Sequence, residues 1–234
     1  MENFFKGITD DFYRSVIYDN RYKYILEGLG NTILISLLAV LLGVILGVLI
    51  ALVCNRYKEN HKGKIANFIC QLYVNIIRGT PVLLQLMILY YVVFRTVDIS
   101  IVLVGMLAFG INSGAYVSEI IRAGIESVDR GQKEAARSLG MTYGMTMRYV
   151  VLPQAIRNVM PALGNEFITL LKETSVAGYI GIIELTKASD IIASATYDYF
   201  FPLILVALIY LVMTLGLSKL LKIVERKLDR RARN

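Results

Sequence analysis

The chain has 234 residues, of which 56% are hydrophobic and only 18% charged, with 25 Lys and Arg against 18 Asp and Glu. Soluble domains average roughly 45–50% apolar residues and about a quarter charged residues. This chain is more apolar and less charged than that, so it is not expected to be an ordinary soluble domain. The apolar residues form long uncharged runs that predict an all-α integral membrane protein. The net charge of +7 would suit nucleic-acid binding, but Lys and Arg retained on the cytoplasmic side of a membrane explain it more simply. We therefore expect membrane lipid as a partner and no nucleic acid.

Five apolar segments are predicted to cross the membrane, since a spanning helix needs about 20 residues. In chain order they are residues 29–53, 65–94, 99–121, 149–172 and 200–221. The run Arg78-Gly79-Thr80-Pro81 interrupts the second segment, where Thr80 can cap a new helix that starts at Pro81. We interpret this segment as one broken span, with an interfacial helix followed by a shorter span as the alternative. The break is either a carboxylate-binding helix end or a plain kink.

The positive-inside rule predicts the orientation of these spans. Loops 54–64 and 122–148 and the tail after Leu217 are basic, whereas residues 173–198 carry four acids and one lysine. The N-terminus is therefore expected outside the cell and the C-terminus in the cytoplasm. The acidic N-terminus lacks the basic start of a cleavable signal peptide, so the first apolar run is expected to remain as an anchor.

Metal and disulfide chemistry have little support in the sequence. Cys54 and Cys70 lie beside or within apolar segments and are interpreted as inert packing residues. The single histidine, His61, lies among basic residues, where a solvated loop residue is a simpler interpretation than a metal ligand. We therefore predict no metal site.

Polar side chains within the predicted spans are the strongest functional signal, because such groups are costly in a bilayer. In span four, one stripe at helical spacing, flanked by Arg157 and Glu166, consists of Gln154, Asn158, Asn165, Thr169 and Lys172. Span three has a weaker stripe, made of Asn112, Tyr116 and Glu119 next to Ser113. Two facing stripes would line a path or pocket, whereas a single Asn, Ser or Thr is better explained by hydrogen bonds between helices. For the carboxylate of Glu166 we expect a cationic partner from another span or from a substrate.

The loop between spans three and four predicts a short surface helix. Asp129 can cap a helix from about Gln132 to Leu139, which Gly140 would end. The residues alone leave open whether this helix lies on the membrane or binds a partner. No phosphate-binding loop of the form G-x-x-x-x-G-K-[ST] occurs, and the single histidine supports no catalytic triad. We therefore expect a chain that is not an enzyme and does not hydrolyse ATP itself.

The same loop contains Glu134-Ala135-Ala136, three residues, Gly140, nine residues, and then Val150-Val151-Leu152-Pro153. This pattern resembles the EAA motif of permease subunits of ABC importers, with Val150 where that family usually has Ile. Other runs resemble the polar amino-acid branch of the family: Arg78-Gly79-Thr80-Pro81, Ala115-Tyr116-Val117-Ser118-Glu119-Ile120, Val128-Asp129-Arg130-Gly131-Gln132, Leu152-Pro153-Gln154-Ala155, Asn165 and Lys172-Glu173-Thr174-Ser175. The resemblance extends from about residue 28 to the C-terminus.

The resemblance implies a permease domain over residues 28–222, between an extracytoplasmic segment 1–27 and a basic cytoplasmic tail 223–234, in a bacterial inner membrane. It implies a coupling helix at about residues 130–141 that docks on an ABC ATPase subunit, present in two copies. Further expected partners are a second permease copy, identical or homologous, and an extracytoplasmic amino-acid-binding protein. The ATPase subunit would bind ATP and magnesium, so no cofactor is expected in this chain. The implied coupling residues are Arg130, Lys133, Glu134, Ala135, Ala136, Ser138, Leu139 and Gly140.

The implied mechanism is alternating access, and we expect motion of the coupling helix to pass through Arg148–Pro153 into span four. A basic amino acid is the favoured substrate, because Glu166 or Glu119 would attract the cation of arginine, lysine or histidine. Glutamine is the alternative, since amide and hydroxyl groups are also available. A secondary transporter without ATP and a membrane scaffold are the alternatives outside this family. The expected path residues are Glu166, Asn165, Asn158, Thr169, Asn112, Ser113, Tyr116, Glu119 and Gln85.

Overall fold

The computed structural model describes residue 9 and residues 11–233, with side-chain surroundings given as far as residue 227. The described chain is almost wholly helical. A helix satisfies its backbone hydrogen bonds within one segment, which apolar runs in a bilayer require. The parts of the predicted N-terminal segment that fall on residues 1–8 and 10 lie outside the described residues.

Nine α-helices occur among the described residues. They are α1 (Tyr22–Asn60), α2 (Lys64–Arg78), α3 (Val82–Ile88), α4 (Ile101–Glu126), α5 (Arg130–Ser138), α6 (Tyr143–Thr146), α7 (Leu152–Glu173), α8 (Leu185–Thr196) and α9 (Phe200–Arg233). Turns of π-helix lie at Tyr13–Ile17, Leu89–Val93 and Met147–Val151, and 3₁₀ turns lie at Tyr18–Asn20 and Thr174–Ile180.

Three of these helices, α1, α4 and α9, are long and apolar enough to cross a membrane. A further candidate is the pair formed by α2 and the Val82–Val93 helix, which is bent by 109° at its break and is either a broken span or a re-entrant loop. The 22-residue α7 contains Pro161 and the polar stripe, and it is not among the helices that meet the apolar requirement. Three helices, or four spans if the bent pair counts as one, could therefore cross a membrane, and the predicted fifth span at residues 149–172 stays a prediction.

The helix boundary at the break differs from the expected one. Pro81, rather than Thr80, is the N-cap of α3, with extended backbone at φ −64° and ψ 135°, so that the helix begins at Val82. The Thr80 hydroxyl instead donates a hydrogen bond to the carbonyl of Ile76, 2.9 Å away. The prediction that Thr80 caps the second helix was wrong, because its side chain completes the last turn of the first one.

The described residues group into two compact units. The first takes its residues from Met1–Ala39, Pro81–Phe109 and Thr169–Gly216. Its apolar core consists of Ile25, Leu185, Ala188, Ile192 and Val206. Burial of these side chains fixes α8 against the first part of α1 and the first part of α9.

The second unit takes its residues from Val40–Thr80, Gly110–Ile168 and Leu217–Asn234. Its described core includes a cluster made of Ile125, Val128, Val151 and Ala155. This cluster packs the end of α4 and the connection to α5 against the start of α7, and it thereby supports the surface helix α5.

Close contacts between α1 and α4 organise the second unit. The sequence predicts them from two pairs of glycines at four-residue spacing, namely Gly43 with Gly47 and Gly110 with Gly114. The structure confirms the prediction, since a Cβ atom at Gly47 would lie 2.5 Å from Cγ1 of Val117, and one at Gly43 would lie 2.7 Å from Oγ of Ser113. Side chains larger than hydrogen are therefore incompatible with this helix pair as it is packed.

A pair of alanine substitutions on α1 tests the helix contact. We expect Gly47→Ala to lower the stability of the chain by about 1–3 kcal/mol, because the new methyl group overpacks against Val117. Gly30→Ala on the same helix is the matched control, since no atom lies within 4 Å of its Cβ position. Thermal unfolding of the purified variants in detergent measures the effect. Equal melting temperatures for the two variants would contradict this packing.

Candidate functional site

An aspartate side chain, that of Asp129, caps the start of the surface helix α5. Oδ1 of Asp129 accepts a hydrogen bond from the backbone N–H of Gly131 at 2.7 Å, as the sequence predicted. The helix starts at Arg130, two residues before the predicted Gln132, because the capping residue directly precedes the first helical position.

A left-handed glycine ends α5. Gly140 has φ +84°, its N–H donates to the carbonyl of Arg137 at 3.0 Å, and the N–H of Met141 donates to the carbonyl of Ala136 at 3.2 Å. This pair of hydrogen bonds is a Schellman motif, which satisfies the last carbonyl groups of the helix. No atom lies within 4 Å of the Cβ position of Gly140, so the backbone angle and not the space requires glycine there.

The implied coupling residues form one anchored side and one free side of α5. Ala136 is buried, and the Lys133 ammonium, on a half-buried side chain, donates to the carbonyl of Ile125 at 3.3 Å. Leu139 is 85% exposed. The other exposed members of the set are Arg130, Glu134, Ala135, Ser138 and Gly140. The chain therefore presents a short rigid surface with charges of both signs and one protruding apolar side chain.

Two hydrogen bonds connect the segments around α5 to other helices of the same unit. The Asn55 amide on α1 donates to the Tyr143 hydroxyl at 2.9 Å. The Asn158 amide on α7 donates to the Ser127 hydroxyl at 2.8 Å, just before α5. In addition, α6 continues through the π-helical turn Met147–Val151 directly into α7. The predicted route through Arg148–Pro153 is thus an unbroken helical segment, and its role in transmission stays a prediction.

Two of the predicted path residues meet in the second unit. The Ser113 hydroxyl on α4 donates a hydrogen bond to Oε1 of Glu166 on α7, at 3.0 Å. Ser113 is fully buried and Glu166 is half-buried. Within the described part of the chain, Glu166 forms no ion pair. The neutral hydroxyl of Ser113 therefore positions the Glu166 carboxylate. The carboxylate could still bind a cation.

The rest of the α7 stripe lies mainly on exposed surface. Its exposed members are Asn158, Asn165, Thr169 and Lys172. Gln154 is half-buried, and its amide donates to the carbonyl of Val150 in the same helical segment at 2.9 Å. Ser113 and Asn112 are packed inside the described chain, while most of the α7 stripe is left uncovered. The expectation that the two facing stripes line a path stays a prediction.

The remaining path residues have separate surroundings. Asn112 is buried in the second unit, and Gln85 is buried in the first. The ring of Tyr116 lies 5.5 Å from the guanidinium of Arg78, in a cation–π contact.

Glu119 belongs to a chain of ion pairs in the second unit. Its Oε2 lies 3.1 Å from Nη1 of Arg78 and 2.7 Å from Nη2 of Arg122. Arg122 also binds Glu126 at 3.0 Å, and Glu126 binds Lys58 of α1 at 2.9 Å. The alternating charges connect α2, α4 and α1. Glu119 already has two cationic neighbours, which makes it a weaker attractor for a substrate cation than Glu166.

A cavity of about 830 Å³ lies beside these ion pairs in the second unit. Its wall combines charges of both signs with amide side chains, and it includes Lys58, Glu119, Arg122, Asn55 and Lys133. A wall of this composition offers hydrogen-bond partners to water or to a polar ligand.

Sequence reasoning missed a buried carboxyl group in the first unit. Glu184, counted there only as a loop charge, is fully buried and caps α8, accepting hydrogen bonds from the N–H groups of Thr186 and Lys187 at 2.7 and 2.6 Å. The Tyr210 hydroxyl donates to the same carboxyl at 3.3 Å. Burial raises the pKa of Glu184 to about 6, against the hydrogen bonds that lower it. The sequence feature that could have indicated its burial is that Glu184 is the one charged residue in the stretch 174–186.

The first turns of α1 hold the backbone beside this carboxyl group. The Asn31 amide donates to the carbonyl of Ile183 at 2.8 Å, and the Thr32 hydroxyl accepts from the N–H of Leu185 at 3.3 Å. A Cβ atom at Gly28 would lie 2.8 Å from the carbonyl oxygen of Glu184. Glu184 is therefore a structural centre of the first unit.

The chain is similar to known membrane transport proteins in sequence and in structure. Residues 39–234 match the family described as "Binding-protein-dependent transport system inner membrane component". The chain is 40% identical over 207 residues to the "Putative glutamine transport system permease protein GlnP" of Rickettsia typhi, covering 88% of this chain and 93% of that protein. It is 42% identical over 212 residues to the "Arginine transport system permease protein ArtQ" of Bacillus subtilis, covering 88% and 92%. A solved structure described as "Crystal structure of an amino acid ABC transporter with histidines" aligns with a TM-score of 0.82 and 48% identity, over 88% of this chain and 94% of the other.

The buried Glu184 predicts a stability that depends on pH. Because the folded chain holds this proton more tightly, with the pKa raised from 4.5 to about 6, the contribution is fully present below about pH 4.5 and is lost as the pH rises through 6. At 1.36 kcal/mol per pKa unit, the loss is about 2 kcal/mol.

The comparison of wild type with Glu184→Gln measures this effect. Thermal unfolding from pH 4.5 to 7.5 should show a decline of stability in the wild type that is reduced in the variant, whose side chain does not titrate. The same pH dependence in both proteins would mean that Glu184 does not carry it.

Proposed function

Because the chain belongs to the family of binding-protein-dependent transport system inner membrane components, we propose that it is the permease subunit of an ATP-driven importer of polar L-amino acids. The family description itself supports an extracytoplasmic binding protein as a partner. Relatives with permease names, one for glutamine and one for arginine, support an amino-acid substrate.

The anchored helix α5 is the observation that carries this function. A permease of an ATP-driven importer that has no phosphate-binding loop needs a partner that hydrolyses ATP. It also needs a rigid surface that this partner can move. α5 meets this requirement, since a cap fixes its start, a Schellman motif fixes its end, and its outer side is exposed. In our proposal two ATPase subunits dock on the α5 helices of two permease copies, and ATP and magnesium are bound by the ATPase.

The proposed topology has five spans in a bacterial inner membrane. Four are α1, the bent segment from α2 to Val93, α4 and α9, and the fifth is α7. The basic loops support a topology with the N-terminus outside and the C-terminus in the cytoplasm. The segments 1–27, 28–222 and 223–234 are then the external end, the permease domain and the cytoplasmic tail. The exposed polar stripe of α7 suits a wet path or a second permease copy, because lipid would leave its amide groups without partners.

Alternating access requires that a displacement of α5 reaches the spans. Two connections support this step: the continuous helical segment from α6 to α7, and the hydrogen bond from Asn55 to Tyr143 that joins the same segment to α1. Closure of the ATPase subunits would draw the two α5 helices together and tilt α7 and α1 with them. The substrate path opens on opposite sides in the two states.

The substrate proposed for this chain is a basic amino acid: arginine, lysine or histidine. Glu166 carries the argument, because a half-buried carboxylate in a proposed span needs a cation, and within the described chain it receives only the hydroxyl of Ser113. A substrate guanidinium or ammonium would complete the pair. The neighbouring Asn165 and Asn158 on α7 are exposed and can bind the polar ends of an amino acid.

Substitution of the carboxylate tests the substrate class. In liposomes that contain the chain with its ATPase and binding protein, Glu166→Gln should raise the KM for arginine at least about tenfold, since a charged hydrogen bond contributes roughly 1.5–3 kcal/mol. Glu27→Gln removes the same charge from an exposed position of α1 and should leave the KM unchanged. Wild-type uptake of glutamine in preference to arginine, with no effect of Glu166→Gln, would contradict the basic substrate and leave the importer proposal standing.

Substitutions at the end of α5 test the coupling. Gly140→Val should reduce ATP-driven uptake at least about tenfold with normal membrane insertion, because a β-branched residue at φ +84° strains the helix end and displaces its docking surface. Gly140→Asn, which tolerates the left-handed conformation, should keep most of the uptake. Gly144→Val is the control for added bulk, since its Cβ position is equally open. Uptake by Gly140→Val at the wild-type rate would exclude a role for this helix end.

A further inference from the structure

Six exposed aromatic side chains lie in the first unit, in the segment before α1 and at the start of α9. We call this set the aromatic collar, and its members are Phe12, Tyr13, Tyr18, Tyr197, Tyr199 and Phe200. The two parts of the collar meet, since the ring of Phe12 lies 6.1 Å from the ring of Phe201, next to Phe200. A group of exposed aromatic rings marks a contact surface.

The segment before α1 is fixed to α8 and to the start of α9. Ser15 and Val16 are buried, and the π-helical turn Tyr13–Ile17 that contains them packs against α8. The Ser15 hydroxyl donates a hydrogen bond to Oδ2 of Asp198 at 2.9 Å, and Oδ1 of Asp198 accepts one from the N–H of Phe200 at 2.9 Å. One carboxylate therefore joins this segment to the first turn of α9, and the rings around it are held in place.

The backbone holds Tyr197 in an unusual conformation at this site. Its φ of 56° and ψ of 23° are left-handed, which residues other than Gly, Asn and Asp rarely adopt. Its side chain is nevertheless 94% exposed, so packing within the unit gains nothing from this conformation. An unfavourable backbone that presents an aromatic ring at the surface indicates a contact made by that ring.

The collar lies at one end of an exposed apolar face of α9. Phe200 is followed at intervals of four, four, three and four residues by Ile204, Leu208, Leu211 and Leu215, and all five side chains are exposed. This spacing places them on one face of the helix. Because α9 is long and apolar enough to cross a membrane, lipid is the solvent that this face requires. The collar therefore marks the level at which the apolar face begins.

The residue types of the collar fit the boundary between lipid and water. Four of the six members are tyrosines, whose rings suit the acyl chains while their hydroxyl groups stay hydrated. The guanidinium of Arg21 lies 5.6 Å from the centre of the Tyr18 ring. A cation at this position matches the phosphate group of a phospholipid.

We propose that the aromatic collar is an interfacial anchor, which binds the headgroup region of the phospholipid bilayer and fixes the depth of α1 and α9. Its ligand is the lipid interface, with the rings among the upper acyl chains and Arg21 beside the phosphates. In the proposed topology this is the outer leaflet. The inference rests on α1 and α9 as spans, and it does not depend on the ATPase or on the substrate.

The test uses the absence of tryptophan from the sequence, because one introduced tryptophan then reports only its own surroundings. Tyr197→Trp and Tyr18→Trp are made separately in the full-length chain, which is reconstituted with phosphatidylcholine brominated either near the start or near the end of its acyl chains. We expect bromine near the headgroup to quench each collar tryptophan at least about twofold more strongly than bromine near the chain end. Leu208→Trp, on the exposed face within the span, is the matched control and should show the opposite order.

Three results would overturn the proposal. They are quenching of both collar tryptophans by aqueous iodide with no effect of either lipid, the same deep quenching as for Leu208→Trp, and a loss of iodide quenching only when the extracytoplasmic binding protein is added. The last result would make the collar a protein contact. Interfacial quenching in a chain that shows no ATP-driven uptake would keep the anchor and remove the proposed function.

Discussion

The contact between α1 and α4 is the packing constraint on which the proposed path depends. Helices in a bilayer gain nothing from hiding apolar surface from one another, so they associate through close packing and hydrogen bonds. Glycines on both helices allow this approach, and Gly43 faces Ser113 directly. Ser113 is fully buried, and its hydroxyl donates a hydrogen bond to the carboxylate of Glu166 on α7. The small residues at this helix contact thus help to position the carboxylate of Glu166, which we propose binds the cationic group of the substrate.

The helix α5, which we propose as the coupling helix, depends on the same unit for its support. Its core contacts, the cap at Asp129 and the glycine at position 140 make α5 a rigid projection instead of a flexible loop. Hydrogen bonds before and after it reach α7 and α1. A partner that moves α5 must therefore move these helices or break their contacts. This is the physical condition for coupling ATP hydrolysis to a change of access, and an isolated surface helix would not meet it.

The sequence predicts local features of this chain better than its contacts. The capped helix before Gly140 and the close packing of the paired glycines are confirmed, because each rests on short-range rules of capping and residue size. The start of α3 was misplaced by one residue, since the Thr80 side chain bonds backward to Ile76. Burial of Glu184 and pairing of Ser113 with Glu166 depend on helices distant in sequence, and no local pattern encodes them.

In our proposal this chain moves an amino acid inward only when an ATPase drives it. The most direct measurement is accumulation of labelled arginine in liposomes that contain the chain, its ATPase and its binding protein, with or without ATP on the ATPase side. We expect accumulation against a gradient with ATP and none without it. Accumulation driven by an ion gradient in the absence of the ATPase would contradict it and would assign the polar face of α7 to a secondary transporter.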